Sequence, residues 1–150
     1  MRKLLSAIFI IIGFSLNAQL PKKAFKLEGK WEFSSGNGYE VWYNQEGFLI
    51  GESYKIINND TVKVEDLVIL EGEGILIHEI KVLHQNVNHF ELLQYKSPNS
   101  KKLYFINSQS DISNSISYSF GFLNRNKLII KMKFGPNGDK TKLILRKIKV

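Results

Sequence analysis

Residues 116–134 read ISYSFGFLNRNKLIIKMKF, and this stretch decides the fold. Apolar and polar residues alternate in both halves, which Asn124-Arg125-Asn126 separate. Alternation with a period of two is typical of a half-buried β-strand, and asparagine-rich triplets favour tight turns. The stretch therefore predicts an antiparallel hairpin with one face toward the core. The residues predicted on that face are Ile116, Tyr118, Phe120, Phe122, Leu128, Ile130, Met132 and Phe134.

Short runs of the same kind continue through the chain after residue 19. None keeps a 3.6-residue apolar period for three turns, so no long amphipathic helix is expected. Ten such runs, joined by short links, imply antiparallel neighbours. Because a wide sheet closes to remove its edges, we predict an all-β fold, an antiparallel up-and-down barrel of about 8–10 strands. A two-sheet sandwich is the alternative, and a change of parity predicts a bulge near Glu65-Asp66.

The first eighteen residues have the features of a secretory signal peptide. Arg2 and Lys3 precede thirteen uncharged residues, LLSAIFIIIGFSL, and Ala18 offers a small residue for cleavage. Thirteen helical residues span about 20 Å, which is shorter than the roughly 30 Å hydrocarbon core of a bilayer. We therefore expect export to the periplasm or the medium. Residues 19–150 then form a single domain, with no transmembrane segment in the mature chain.

The composition excludes several kinds of chemistry. The chain of 150 residues has no cysteine, so it lacks disulfides, cysteine-based zinc sites and a cysteine nucleophile. The three histidines lack the spacing of a zinc site, and neither a phosphate-binding glycine loop nor a serine-nucleophile motif is present. We expect a monomer without metal or cofactor and, because the chain is exported, without a nucleic-acid partner.

Charge is divided unevenly along the chain, whose net charge is +7. Residues 125–150 hold nine basic residues and one acid, whereas residues 28–79 hold eleven acids and three basic residues. Lysines that alternate with apolar residues, such as Lys127, Lys131 and Lys133, are typical of a solvated strand face. They would also allow a weak contact between the basic C-terminal strands and an anionic envelope surface.

Two motifs at the ends of the domain resemble the lipocalin and calycin pattern. Gly29-x-Trp31 opens the first strand, and Arg146 lies in the last. The resemblance implies that Gly29, Trp31 and Arg146 close one end of the barrel, with the basic side chain packed across the indole ring. Residues 39–54 are similar to a bacterial group of exported lipocalin-like domains of uncharacterised function. The chain departs from that group at Ile112-Ser113, where an aromatic-proline pair is usual.

The function that best fits an exported barrel of this kind is non-catalytic binding of a small, mostly apolar ligand in its interior. The side chains predicted to line this site are Trp42, Glu52, Tyr54, His78, Tyr104 and Tyr118. His78 shares a face with apolar residues, so we interpret it as a hydrogen-bonded core histidine, a polar anchor for the ligand or an axial haem ligand.

Two alternative functions stay open. One is an interaction or structural module of the cell envelope that acts through its surface. The other, less favoured, is a hydrolase-type enzyme. Pairing of two strands about the Glu46 turn would bring Glu40 opposite Glu52, and opposed carboxylates raise each other's pKa. Exposure of one acid, or a basic partner for the pair, would remove that role.

Overall fold

The computed structural model describes a closed β-barrel preceded by a short 3-10 helix, Ala24–Leu27. The described residues are 20–72, 75–83, 89–96, 101–107, 114–134 and 137–149. The predicted signal peptide, residues 1–18, and the predicted loop departure, residues 112–113, lie outside them. The strands are β1 (Gly29–Phe33), β2 (Gly38–Gln45), β3 (Phe48–Ile57), β4 (Asp60–Gly72), β5 (Ile75–Val82), β6 (His89–Tyr95), β7 (Lys102–Ile106), β8 (Ser115–Phe120), β9 (Lys127–Phe134) and β10 (Asp139–Ile148).

Each strand pairs antiparallel with the next along the chain, and β1 pairs with β10 to close the barrel. This arrangement confirms the predicted all-β, up-and-down barrel rather than the two-sheet sandwich. Its connectivity also fixes the two ends. The β2–β3 and β8–β9 turns and the start of β5 lie at the end where the 3-10 helix precedes β1, which we call the helix end. The β3–β4 turn lies at the opposite end.

The core lies inside the barrel and receives a buried apolar or aromatic side chain from every strand. The 3-10 helix adds Ala24 and Leu27, both fully buried. Trp31 of β1 donates a hydrogen bond of 2.6 Å from Nε1 to the carbonyl oxygen of Leu27, which ties the helix to the barrel. The strand residues of the core are Trp31, Trp42, Leu49, Leu67, Ile69, Leu76, Ile80, Leu93, Leu103, Phe105, Ile116, Tyr118, Leu128, Ile130 and Leu145.

The β2–β3 turn corrects a predicted register. Gln45 pairs with Phe48, so only Glu46 and Gly47 form the turn, and both have positive φ, 50° and 93°. Such a two-residue turn matches the twist of the flanking strands and suits a glycine at its second position. The predicted pairing of Glu40 with Glu52 would leave three residues, 45–47, in the turn. A change of one residue moves every side chain of the paired strand to the other face.

The inward face of β3 therefore carries Leu49, Gly51 and Ser53, which are all buried. Glu52 and Tyr54 lie on the outer face, and the prediction that they point inward was wrong. The error arose because β3 is apolar on both faces at its start, so the alternation alone did not identify the buried face.

The predicted bulge in β4 is present one residue before the expected place. Ser53 pairs with Glu65 and Tyr54 pairs with Lys63, which leaves Val64 as the extra residue. The bulge reverses the parity of β4, so that Leu67 and Ile69 face the core.

The β8–β9 turn corrects a second prediction. β8 ends at Phe120, and Phe122, which was expected to face the core, is 95% exposed. The reversal starts at Gly121, whose N–H donates to the carbonyl oxygen of Lys127 at 2.9 Å. A side chain at Gly121 would lie 2.5 Å from the carbonyl oxygen of Asn124, so the close approach of the backbone requires glycine.

Candidate functional site

A hydrogen-bonded polar group lies inside the barrel. Nδ1 of His78 is 3.0 Å from the carbonyl oxygen of Val68, and Nε2 is 2.7 Å from the hydroxyl of Tyr118. A carbonyl can only accept, so Nδ1 carries the proton and Nε2 accepts from the Tyr118 hydroxyl. Burial lowers the pKa of His78 to about 4, so the ring is neutral at pH 7. His78 is therefore a satisfied core histidine.

Glu40 is a further buried titratable group among the described residues of the interior. It is 5% exposed, and its Oε2 accepts a hydrogen bond of 2.9 Å from Nε1 of Trp42. Burial raises the pKa of Glu40 to about 7, and the nearby Glu65 carboxylate adds to the rise while the Trp42 bond opposes it. Burial also raises the pKa of Glu65, while the charge of Lys55 and a Ser53 hydrogen bond limit the rise.

Aromatic rings occupy the middle of the barrel. The centroid of the Trp42 ring lies 5.9 Å from that of Tyr118 and 6.1 Å from that of His78. The ring centroids of Phe105 and His78 are 5.1 Å apart. Trp42, His78, Phe105 and Tyr118 are each at most 1% exposed. A side chain at Gly51 would lie 2.8 Å from the Trp42 indole. Around these four rings the interior is packed, as expected where side chains fill a barrel.

Three of the six predicted lining residues, Trp42, His78 and Tyr118, thus come together inside the barrel. Glu52 and Tyr54 lie outside, where the Glu52 carboxylate accepts a hydrogen bond of 2.8 Å from the Tyr54 hydroxyl and forms a 2.6 Å ion pair with Lys63. These two bonds lower the pKa of Glu52.

The predicted acid/base pair of Glu40 and Glu52 is not formed. Glu40 pairs with Ser53, whereas Glu52 pairs with Val41, so the two carboxylates lie on opposite faces of the sheet. Glu52 has the basic partner that was the alternative to an acid/base role, because it forms an ion pair with Lys63.

Trp31 is buried at the helix end of the barrel, and the cation on its indole ring is not the Arg146 that the family resemblance implied. Nζ of Lys147 lies 5.1 Å from the centroid of the indole ring. Arg146 is exposed on the outer face of β10, opposite Glu32 and Lys127. Leu145 faces the core, so strand alternation turns Lys147 inward and Arg146 outward. Gly29, at the start of β1, leaves room for the Lys147 stem, since a Cβ there would be 2.8 Å from its Cε.

A groove of about 340 Å³ crosses the outer face of β7, β8, β9 and β10. We call it the lysine groove. Tyr104, the sixth predicted lining residue, belongs to this groove rather than to the interior. Ten of the described residues line it, and these ten include five lysines and no acid. They are Lys102, Tyr104, Ser115, Ser117, Lys131, Met132, Lys133, Lys140, Thr141 and Lys142.

Strand register builds the lysine groove from two rows of donors. In one row, Tyr104 pairs with Ser117, Ser117 with Lys131, and Lys131 with Lys142. Next to it, Ser115 pairs with Lys133 and Lys133 with Lys140. The short side chains of Ser115 and Ser117 form the floor of the groove, between the longer tyrosine and lysine side chains. Ser117 is only 6% exposed. Each row can donate several hydrogen bonds to one anion.

Lys131 and Lys133 were expected on a solvated strand face, but their pairing with Lys142 and Lys140 was not predicted. The signal was present in the β9–β10 turn, because counting outward from residues 135–138 pairs these lysines. The inward position of Glu65 was also not predicted. It follows from the bulge at Val64.

No family model, curated protein or solved structure matches the chain. Among the described residues, no group of three acidic or histidine side chains is arranged to hold a metal ion. The same residues contain no helix with the length and apolarity needed to cross a membrane.

Proposed function

We propose that this barrel is a non-catalytic binding protein that holds a small polyanion in the lysine groove. The observation that carries the proposal is the direct opposition of Lys131 to Lys142 and of Lys133 to Lys140. Like charges directly opposite one another across two strands destabilise a sheet. An anion seated between these pairs turns the repulsion into charge-assisted hydrogen bonds.

The remaining groups of the groove suit the same ligand. The hydroxyls of Ser115, Ser117 and Tyr104 are able to donate hydrogen bonds, and Nζ of Lys102 lies 4.9 Å from the centroid of the Tyr104 ring. Asp139 is the one acid in residues 125–150, and strand alternation places it on the other face of β10 from Lys140. A ligand with two or more phosphate, sulfate or carboxylate groups matches this set of donors.

The distribution of charge over the barrel favours approach of an anion from the side of β9 and β10. Residues 125–150, which include β9 and β10, carry a net charge of +8, whereas residues 28–79, which include β1 to β4, carry −8. A field divided in this way draws an anion toward β9 and β10 and raises its association rate.

A small apolar ligand in the interior, as predicted from the sequence, is the weaker proposal. It would have to displace the packed rings of Trp42, His78, Phe105 and Tyr118 and expose the Glu40 carboxyl to an apolar surface. Displacing a close-packed aromatic core costs several kcal/mol, which an apolar ligand must recover before it binds. The lysine groove needs no such rearrangement.

The cellular setting is part of the proposal. The N-terminal features of a signal peptide support export, and the Gly29-x-Trp31 opening with a cation on the indole supports a lipocalin-like relationship. We retain a single exported domain that acts as a monomer. An envelope compartment also supplies phosphorylated and carboxylated molecules in the class that the groove suits.

The test is a calorimetric titration with tripolyphosphate, using protein purified without detergent from cells that express the full chain. We expect saturable binding of one ligand per barrel. The double variant K131Q/K142Q weakens binding by about tenfold or more, because it removes two charge-assisted hydrogen bonds. The control is K55Q/K81Q, which loses the same charge from two exposed lysines outside the groove and keeps the wild-type affinity.

Two results would contradict the proposal. Tripolyphosphate and the other polyanions of this class could fail to bind the wild-type protein at low ionic strength. Alternatively, the two double variants could weaken binding equally, which would show a response to net charge and not to a site. Native mass spectrometry of the same preparation identifies any molecule that co-purifies.

A further inference from the structure

Two large apolar side chains project from the β8–β9 turn into solvent. Phe122 is 95% exposed and Leu123 is 94% exposed. The next most exposed large apolar residue among the described ones is Ile57, at 49%. A contiguous pair with this exposure marks a contact surface more than a random surface position does.

Hydrogen bonds fix the backbone of the turn that carries these two side chains. The N–H of Gly121 donates to the carbonyl oxygen of Lys127 at 2.9 Å, and the N–H of Lys127 donates to the carbonyl oxygen of Asn124 at 3.0 Å. The Asn124 side chain accepts a further bond of 3.0 Å from the N–H of Asn126. Ordering the turn in advance removes the entropy that a contact would otherwise have to pay for.

Cations surround the base of the turn. Arg125 is exposed beside Leu123, and Nζ of Lys26 lies 5.9 Å from the ring of Phe120 at the end of β8. A second outer cavity of about 490 Å³ adjoins the turn. Its lining is Ser34, Asn124, Asn126, Lys127, Ile144, Arg146 and Lys147. The acid closest in register is Glu32, which pairs with Arg146 from β1.

The other exposed apolar residues show which side of the barrel would make the contact. Tyr43, Phe48 and Ile75 also lie at the helix end, beside the β2–β3 turn and at the start of β5. The acids Glu46 and Glu71 accompany them there. Apolar exposure combined with positive charge is therefore found on the β8–β9 side of the helix end.

We infer that the β8–β9 turn docks this barrel on an anionic lipid bilayer. Phe122 and Leu123 enter the interface between headgroups and acyl chains, while Arg125, Lys127 and Arg146 meet lipid phosphates. Apolar insertion and electrostatic attraction together give a peripheral attachment that neither gives alone. A membrane is favoured over a partner protein because two fully exposed side chains on a convex turn offer too little area for a stable protein interface. This inference uses different residues from the lysine groove and stands without it.

The experiment is vesicle co-sedimentation with protein purified without detergent from cells that express the full chain. Vesicles of phosphatidylcholine alone are compared with vesicles that also contain phosphatidylglycerol. F122S/L123S lowers the partition coefficient on the anionic vesicles by about tenfold or more, since both apolar side chains are lost. R125Q/K127Q also lowers it by about 25-fold, at roughly fivefold per basic residue, and has no effect on neutral vesicles.

The matched control is I56S/I57S, which removes two exposed apolar residues from the opposite end of the barrel. It keeps the wild-type partition coefficient. Every variant carries the same N-terminus, so differences between variants report on the turn. Thermal unfolding checks that each variant is folded.

A fluorescence measurement gives an independent readout. Trp31 and Trp42 are buried, so F122W adds the one exposed tryptophan, and its emission shifts to shorter wavelength on anionic vesicles. Equal partition of F122S/L123S and wild type, or unchanged F122W emission, would overturn the inference. Binding of soluble tripolyphosphate is unchanged in F122S/L123S, so a failure here is distinguishable from a failure of the lysine groove.

Discussion

The hydroxyl of Tyr118 donates a hydrogen bond of 2.7 Å to Nε2 of His78 across the inside of the barrel. β8 and β5 supply these residues, and the bond spans 40 positions of the sequence. With Nδ1 bound to the Val68 carbonyl, both ring nitrogens are satisfied. A histidine so fixed and surrounded by aromatic rings is part of the packed core and is not open to a ligand.

Removing the hydroxyl in Tyr118→Phe leaves a buried acceptor on His78 without a partner. We expect the free energy of unfolding to fall by about 1–3 kcal/mol, the usual penalty for such a group. Urea denaturation measures the change. Tyr54→Phe is the control, because it removes a hydrogen bond of similar length on the outer face and costs less than about 1 kcal/mol. Equal losses for the two variants would contradict the packed interior.

Glu40 makes stability depend on pH. Its pKa is about 7 in the folded protein, against 4.5 for an ordinary glutamate, so the folded state binds more protons between these values. The free energy of unfolding therefore falls as pH rises through this window, by about 3 kcal/mol in total. Glu40→Gln abolishes this loss, so the variant gains stability over wild type as pH rises through the folded pKa of about 7, and the gain becomes constant above about pH 8.

His78 makes stability depend on pH in the opposite direction, and Glu40→Gln does not remove this contribution. Its folded pKa of about 4 lies below the ordinary 6.5, so stability is lost as pH falls through this window. Glu40→Gln thus exposes the His78 slope, and its stability rises with pH between 4 and 6.5. Denaturation curves across this pH range test both statements. A constant difference between variant and wild type at every pH would contradict them.

The lysine groove predicts opposite effects on stability and binding. Lys142→Glu replaces the repulsion with Lys131 by attraction across β9 and β10. We expect it to stabilise the free protein by about 0.2–1 kcal/mol, the usual size of such a cross-strand pair. The same variant loses tripolyphosphate binding. Lower stability together with unchanged binding would show that the opposed lysines have no ligand between them.

The contact between Lys147 and Trp31 predicts that substitutions at residues 146 and 147 lower the free energy of unfolding by different amounts. Lys147→Met removes the cation over the Trp31 ring and costs about 1 kcal/mol. Arg146→Met acts at an exposed outer position and costs less than about 0.5 kcal/mol. Thermal unfolding of the two variants compares these values. A larger loss for Arg146→Met would restore the pairing that the family resemblance implied.

Local alternation predicted more of the fold than of the site. The hairpin around Asn124-Arg125-Asn126 has one apolar and one lysine-bearing face in β9, so its inside was identifiable. β3 begins Phe-Leu-Ile-Gly, apolar on both faces, and its buried side depended on whether the Glu46 turn holds two residues or three. That single residue decided where Glu52 and Tyr54 lie and removed the Glu40–Glu52 pair.

The site was missed for a different reason. Lys131 and Lys142 are eleven positions apart, and their opposition depends on the register of the β9–β10 hairpin. Tyr104 and Ser117 join them only because four strands align their outer faces. Side chains that meet through register carry no local motif, so composition alone indicated a basic end without a groove.

The most direct test of the account is the place where a polyanion binds. Backbone and indole N–H signals of the ¹⁵N-labelled protein are followed by NMR during titration with tripolyphosphate. We predict saturating shifts for residues 115–117, 131–133 and 140–142, with no change at the Trp42 indole. Saturating shifts at Trp42 and Tyr118, or none at the lysine groove, would contradict the claim that this barrel binds its ligand on its outer face.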